Sequence, residues 1–124
     1  MKIVNATGKR GEDVASEYLR KHGYTILERN FHAKGGEIDI IAIDTSEKEP
    51  ILCFIEVKTR TSAMFGTPFE AITHWKLQFI EKTAIYYTIL HKSLPKNLRI
   101  DAVAVVLDKQ GALISIELLK NAAG

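Results

Sequence analysis

The sequence predicts an α/β protein in which a mixed sheet of about five strands is flanked by helices, in the order α-β-β-β-α-β-β. Apolar residues recur with the period of a helix over residues 8–22 and 67–90. Short runs of aliphatic residues, bounded by turn residues, indicate strands at 24–29, 37–44, 51–59, 99–107 and 112–119. The second helix joins the third strand to the fourth. Because such a connection usually links parallel strands, we expect a sheet with both strand directions.

The composition is that of a soluble globular protein. The 124 residues are 46% hydrophobic and 26% charged, which predicts a single domain over residues 1–124. The net charge of +2 permits nucleic-acid binding and favours it only weakly. Cys53 has no second cysteine to pair with, and no apolar run approaches the roughly 18 residues of a membrane helix. We therefore expect a cytoplasmic protein with no membrane partner.

The first helix is predicted over residues 8–22, with Thr7 as its cap and Gly23 as its stop. Glu12 lies at the border of its apolar stripe. It is either a solvated acid in the first turn, where the helix dipole favours negative charge, or a side chain that reaches inward. The stripe itself consists of Gly11, Val14, Ala15, Tyr18, Leu19 and His22.

A loop is predicted at residues 30–36, between the first two strands. Gly35 and Gly36 would let the backbone approach a ligand closely. Residues such as His32 and Lys34 are more often ordinary solvated loop residues than ligand contacts.

The second and third strands carry acids and a lysine where the pattern calls for aliphatic residues. Burying unpaired carboxylates costs several kcal/mol, so these side chains need a cation or another partner. If the strands pair antiparallel with Ile43 opposite Leu52, then Asp39 lies opposite Glu56. Lys58 projects from the same face as Glu56. This register predicts one cluster of two carboxylates and an ammonium, whereas a shift of one residue would separate the two acids.

The second helix has two candidate starts. Thr67, Pro68 and Glu70 form a capping box with proline at the first helical position, and Thr73 offers a second cap. Trp75 and the aromatic residues that follow it at helical spacing are predicted to be core, with base stacking as the alternative.

The fourth strand is apolar on both faces, which predicts a buried central position. Asp101, at its start, is either an acid at the end of the strand or a further member of the polar cluster. The last strand alternates in polarity and is predicted to lie at the edge of the sheet.

Oxygen ligands from two carboxylates suit Mg²⁺ or Mn²⁺, which keep several waters and accept a phosphate oxygen as a further ligand. A neighbouring lysine can orient an attacking water, help to deprotonate it, or offset charge on a pentacovalent phosphate. Hydrolysis of a phosphodiester needs all three groups. No Cys or His grouping has the spacing of a zinc site.

The arrangement of Asp39 and Glu56-Val57-Lys58 resembles the Asp…Glu-x-Lys signature of the restriction-endonuclease-like superfamily, whose core is helix, three strands, helix, strand. Further motifs together resemble the YraN-like family, an uncharacterised bacterial group similar to archaeal Holliday-junction resolvases. They are Gly11-Glu12, Gly23-Tyr24, Arg29-Asn30, Gly36-Glu37-Ile38-Asp39, Glu56-Val57-Lys58-Thr59-Arg60 and Arg99-Ile100-Asp101.

The resemblance implies a restriction-endonuclease-like fold and metal-dependent cleavage of branched DNA. It implies Asp39 and Glu56 as ligands of Mg²⁺ or Mn²⁺ and Lys58 as the catalytic lysine. The carbonyl of Val57 and the helix acid Glu12 are implied as further ligands.

Three basic residues are candidate contacts to nucleic-acid phosphates, namely Lys34, Arg60 and Lys76. In one departure from the superfamily pattern, Ile38 stands where the superfamily has proline.

The function predicted on this basis is a metal-dependent endonuclease that acts on DNA, in branched or single-stranded structures. The alternatives are a non-catalytic nucleic-acid-binding protein, a structural network of ion pairs, and an assembly partner that exposes Met64-Phe65 and the last strand. A homodimer is expected by analogy, because two symmetric strands of a junction need two active sites.

Overall fold

The computed structural model describes residues 6–62 and 72–123. One five-stranded sheet has its strands in chain order, β1 to β5. β3 and β4 are parallel and the other neighbouring pairs are antiparallel, which confirms the predicted mixed sheet and element order. The elements are α1 (Ala6–Lys21), β1 (Tyr24–Ala33), β2 (Gly36–Asp44), β3 (Ile51–Thr61), α2 (His74–Leu90), β4 (Leu98–Leu107) and β5 (Leu113–Leu119).

The core has two layers because each helix covers one face of the sheet. The buried cluster on the α1 side consists of Ala15, Leu19, Tyr24, Ile40, Ala42, Cys53, Ile55, Val103, Val105 and Leu107. The buried cluster on the α2 side consists of Ile38, Ile41, Leu52, Phe54, Ile80, Ala84, Tyr87 and Ile100. β4 lies between β3 and β5 and is buried on both faces, as its apolar sequence predicts.

The predicted register of β2 against β3 is confirmed. Ile43 lies opposite Leu52, and the pairing continues as far as Ile40 opposite Ile55. The ladder therefore ends one residue before Asp39, and both acids lie where the two strands begin to separate.

β1 is longer than predicted. Its pairing with β2 continues to Ala33 opposite Gly36, so most of the predicted loop at 30–36 is strand. The backbone hydrogen bonds of this hairpin outweigh the loop-forming character of the segment. The turn itself is reduced to Lys34 and Gly35, and Gly35 takes the positive φ of 98° that glycine tolerates.

Two irregularities interrupt β1. The register shifts by one residue between Ile26 and Glu28, so Leu27 is the extra residue of a bulge. Asn30 has a φ of 54°, in the left-handed region that asparagine tolerates better than most residues.

α1 lies very close to the sheet at Gly11. A Cβ atom on this glycine would lie 2.9 Å from Cβ of Thr59 on β3. The absence of a side chain thus permits the contact. Because α1 already begins at Ala6, Glu12 is beyond the first turn, and the interpretation of Glu12 as a first-turn acid is wrong.

α2 begins at His74, and the hydroxyl of its cap Thr73 accepts a hydrogen bond from Lys76 N–H at 3.1 Å. The second predicted cap is thus observed, while Thr67, Pro68 and Glu70 lie outside the described residues. The prediction that the aromatic stripe is core is confirmed for Tyr87 and wrong for Trp75, which is 82% exposed. Apolar residues are distributed around α2 but only one side of the helix meets the sheet, so several large apolar residues stay exposed on its outer face. Neither described helix is long and apolar enough to cross a membrane.

Candidate active site

Asp39 lies at the end of the β2–β3 ladder. Its Oδ2 accepts a hydrogen bond of 2.7 Å from the backbone N–H of Val57 on β3. A carboxylate oxygen thus binds a backbone donor beyond the last paired residues of the two strands. This contact fixes the Asp39 side chain beside Glu56, the residue that precedes Val57.

Glu56 is almost completely buried, with 5% of its surface exposed. Its Oε1 lies 3.2 Å from Nζ of Lys58, as the shared strand face predicts. Its Oε2 is buried and accepts no hydrogen bond from the described residues. The ammonium of Lys76, on α2, lies 3.5 Å from Oε2 but donates its short hydrogen bond of 2.6 Å to the Glu37 carbonyl. One oxygen of Glu56 is therefore poorly satisfied.

The pKa of Asp39 is raised to about 7. Burial is the largest cause, followed by the negative charge of Glu56, and the hydrogen bond from Val57 N–H only partly offsets them. Glu12 raises the pKa further, while Lys76 lowers it. Asp39 is thus a buried carboxyl group beside a second carboxylate, and a bound cation would favour its charged form.

Glu12 reaches inward, which confirms the alternative expected for a residue at the border of the stripe. Its carboxylate lies 3.5 Å from the guanidinium of Arg29, which is also 2.8 Å from Asp13. Burial raises the pKa of Glu12, and its interactions with Arg29 and Asn30 offset part of that rise.

Among the described residues, no three His, Cys, Asp or Glu side chains form a group arranged to hold a metal ion. Val57 donates its backbone N–H to Asp39. The metal-ligand roles of Asp39, Glu56, Glu12 and the Val57 carbonyl stay predictions.

The candidate phosphate contacts are placed in two groups. Lys34 and Lys76 line the same surface cavity, of about 510 Å³, between the β1–β2 turn and α2. Arg60 lies two residues beyond Lys58 on β3, so both side chains leave the same face of that strand.

Asp101 belongs to a different cluster. Its carboxylate accepts a hydrogen bond of 2.7 Å from Arg99 and one of 2.9 Å from the Tyr24 hydroxyl. The backbone N–H of Asn121 binds the same carboxylate at 3.0 Å. Asp39, Glu56 and Lys58 together are called the acid–lysine cluster below. The alternative that placed Asp101 in this cluster is wrong. Its strand is parallel to β3, and Asp101 pairs with Ile55, whose side chain packs on the α1 side.

Base stacking on the aromatic residues of α2 is the alternative predicted from the sequence, whereas Lys82 is a functional candidate that the sequence did not identify. Phe79, Lys82 and Tyr86 lie near Trp75 along the cavity surface. Their spacing of four, seven and eleven residues from Trp75 defines one face of a helix. That alternation of aromatic and basic residues is visible in the sequence, but their exposure depends on which side of α2 meets the sheet.

The fold and the site together define a class of protein. It is an α/β protein with the element order of the restriction-endonuclease-like core, and it carries two carboxylates and a lysine on neighbouring strands. Within that class, the chain belongs to the uncharacterised protein family UPF0102, which its residues 11–105 match. This is the YraN-like family that the sequence motifs resemble, so that prediction is confirmed.

Relatives match over nearly the whole chain. A UPF0102 protein of Clostridium kluyveri is 41% identical over 115 residues, covering 93% of this chain and 91% of the relative. One of Dictyoglomus thermophilum is 43% identical over 115 residues, covering 93% and 94%. One of Clostridium botulinum is 44% identical over 117 residues, covering 93% and 91%. These names state no activity.

Proposed function

We propose that this protein is a metal-dependent endonuclease that hydrolyses phosphodiester bonds of DNA, in branched or single-stranded structures. The proposal rests on the position of Asp39, Glu56 and Lys58, which lie together at the end of the β2–β3 ladder. One oxygen of Glu56 is buried there and accepts no hydrogen bond from the described residues. The resemblance of the motifs to junction resolvases supports DNA as the substrate.

The donor set fits a hard divalent cation. Mg²⁺ is commonly bound through one or two carboxylates and completes its shell with waters and substrate phosphate oxygens. Asp39 and Glu56 would hold it, with the Val57 carbonyl and Glu12 as further donors. When bound, the cation neutralises charge on the phosphate and lowers the pKa of a bound water.

The residues of the chain would divide the remaining work. In hydrolysis, the attacking water loses a proton as its oxygen bonds to phosphorus, the ester P–O bond breaks, and the leaving alkoxide takes up a proton to become an alcohol. Lys58, with its side chain 25% exposed beside Glu56, would orient the water or offset the charge on the pentacovalent phosphate. The hydrogen bond from Val57 N–H keeps Asp39 beside Glu56.

Cleavage assays with matched variants test this function. Linear, single-stranded and four-way-junction DNA, each labelled, would be incubated in Mn²⁺ or Mg²⁺ with wild type, Asp39→Asn and Lys58→Ala. Asparagine keeps an oxygen that accepts the Val57 hydrogen bond, so Asp39→Asn removes charge with little change of shape. We expect each substitution to lower the cleavage rate at least about 100-fold.

Glu17→Gln and Lys92→Ala serve as controls, because both side chains are exposed and lie outside the site. They should leave cleavage unchanged. Cleavage that survives in both Asp39→Asn and Lys58→Ala would come from a contaminating nuclease and would contradict the proposal.

A second candidate is a non-catalytic nucleic-acid-binding protein. The observation that favours it is that each Glu56 oxygen has an ammonium within 3.5 Å, from Lys58 and Lys76, so the charge is paired without a metal. This candidate predicts binding of DNA that is unchanged by a chelator and no cleavage with either metal.

A further inference from the structure

A groove runs between the β1–β2 turn and α2. It consists of two adjoining cavities of about 510 and 470 Å³, which share Lys34, Phe79 and Lys82. The first extends to Trp75 and Lys76, and the second to Tyr86. We refer to both cavities together as the turn groove.

The α2 wall of the turn groove presents aromatic rings to solvent. Trp75 is 82% exposed and Tyr86 is 55% exposed, although burial of such side chains is strongly favourable. Phe79 lies between them and packs beneath the turn, since a Cβ atom on Gly36 would lie 3.2 Å from its ring. The glycines of the turn therefore allow the backbone to lie against Phe79. Flat apolar surfaces remain available at both ends.

The charge of the turn groove has one sign. Lys34, Lys76 and Lys82 line it, and no carboxylate is among the described lining residues. His32 also lines it and lies 3.3 Å from the Glu37 carboxylate. Exposed aromatic rings among ammonium groups are suited to a ligand that carries both flat bases and phosphates.

Lys76 connects the turn groove to the candidate active site. Its Nζ lies 5.4 Å from the centre of the Phe79 ring and 3.5 Å from Oε2 of Glu56. A ligand that follows the groove toward the start of α2 therefore arrives beside the acid–lysine cluster.

We propose that the turn groove binds an unpaired DNA strand, with bases stacked on Trp75 and Tyr86 and phosphates at Lys34 and Lys82. This inference rests on the proposed function and specifies its substrate as DNA with an unpaired stretch next to the cleaved bond. Trp75 and Tyr86 are eleven residues apart on the helix, about 16 Å. That distance is the length of about five nucleotides at the spacing of a stacked strand. Paired bases in a duplex do not expose the faces that such stacking requires.

The fluorescence of Trp75 provides a direct test, because Trp75 is the only tryptophan of the chain. Wild-type protein in chelator would be titrated with oligothymidylate of eight nucleotides, and in parallel with a blunt-ended DNA duplex. We expect saturable quenching by oligothymidylate and little quenching by the fully paired duplex. Binding without any change in Trp75 fluorescence would overturn the proposal.

Variants then separate stacking from phosphate contacts, with binding followed by the anisotropy of labelled oligothymidylate. Trp75→Ala should weaken binding at least fivefold, Trp75→Phe should restore most of the loss, and Ile89→Ala should have no effect. Ile89 is the matched control because it is an apolar residue on the same helix, 60% exposed, and does not line the groove.

Lys82→Ala should reduce the slope of log affinity against log salt by about 0.7, while exposed Lys92→Ala should leave it unchanged. If the true occupant of the groove is an apolar protein segment, the protein should show no preference for oligothymidylate over paired DNA. Trp75→Ala should then have no effect on the binding of oligothymidylate. Either result would overturn the proposal.

The outcomes are independent of cleavage, because binding is measured without metal. Quenching of Trp75 with no cleavage by any metal would support the turn groove and refute the endonuclease. Cleavage that depends on Asp39 but has the same rate in Trp75→Ala and Ile89→Ala would support the endonuclease and refute the turn groove.

Discussion

Near neutral pH the carboxyl group of Asp39 is a mixture of protonated and charged forms, because its pKa is raised to about 7. In the unfolded chain the same group has an ordinary pKa near 3.8. Between these two values only the folded protein holds the proton. The contribution of this group to stability is therefore complete below about pH 4 and is lost as the pH rises through 7.

We expect Asp39→Asn to gain stability relative to wild type as the pH rises, because asparagine has no charge to bury. From pH 4 to pH 8 the difference in the free energy of unfolding between variant and wild type should shift by about 4 kcal/mol in favour of the variant. Urea unfolding in chelator at both pH values measures this difference. A constant difference across that range would show that Asp39 does not titrate as described, and Glu17→Gln provides the exposed-acid control.

The proximity of Asp39, Glu56 and Lys58 was predictable from sequence, because strand periodicity and one register decide which residues share a face. The hydrogen bond from Val57 to Asp39 was not, since it forms only where the ladder ends. The exposure of Trp75 was not predictable either. Helical spacing identifies a stripe, but tertiary packing decides which side of α2 meets the sheet.

At the scale of elements, α1 lies against β3 at Gly11, where the absence of a side chain lets the two backbones come close together. At Gly11 an added Cβ would lie 2.9 Å from both Cβ and Cγ2 of Thr59. Glu12 is the next residue, so the same approach brings its carboxylate toward the acid–lysine cluster. The position of the helix and the electrostatics of the site are coupled through one glycine.

Gly11→Ala should destabilise the protein by about 1–3 kcal/mol, because the added methyl group overlaps Thr59 in a packed layer. Urea unfolding of Gly11→Ala, Thr59→Ala and the double variant measures the effect. The cost of Gly11→Ala should be smaller in the Thr59→Ala background, which lacks the hydroxyl and methyl groups of Thr59 but keeps its Cβ atom. Equal costs in both backgrounds would show that the hydroxyl and methyl groups of Thr59 are not the cause.

Element boundaries were predictable where the chain contains strong turn residues and not elsewhere. The register of β2 and β3 follows from two apolar runs separated by a short polar segment. The extension of β1 to Ala33 depends on its pairing with β2, and local preferences in that segment favour a loop. The bulge at Leu27 likewise leaves no signal in the alternation of a strand that is only partly buried.

At the scale of the whole molecule, a second charged network connects residues of β1, β2, β4 and the segment after β5. The Arg99 guanidinium lies 2.7 Å from both Asp44 on β2 and Asp101 on β4. Lys120, after β5, lies 3.2 Å from Asp44. Burial alone would raise the pKa of Asp44, but hydrogen bonds from Arg99, the Ser46 side chain and backbone, and Lys120 outweigh it and hold the pKa below its ordinary value.

Arg99→Met should cost about 3–5 kcal/mol of unfolding free energy, because it leaves two fully buried carboxylates without their main cation. Arg20→Met, at an exposed position on α1, should change stability little. Thermal or urea unfolding measures both. A loss below about 1 kcal/mol for Arg99→Met would indicate that Lys120 and water compensate for the missing guanidinium.

The overall architecture was predictable because its determinants are coarse: two helical periods, five strands and one long crossover. The Arg99 network was not, because it joins residues from β1, β2, β4 and the segment after β5. No local pattern brings Tyr24, Asp44 and Asp101 together.

The extra residue at Leu27 reverses the side of the sheet to which the next residues of β1 point. Before it, Tyr24 and Ile26 face α1; after it, Glu28 contacts Tyr87 of α2, and Arg29 contacts Glu12 of α1. In an uninterrupted pleat the two would exchange sides, and an acid instead of a guanidinium would meet Glu12. The bulge at Leu27, and not only the order of the residues, therefore determines the sign of the charge that faces α1.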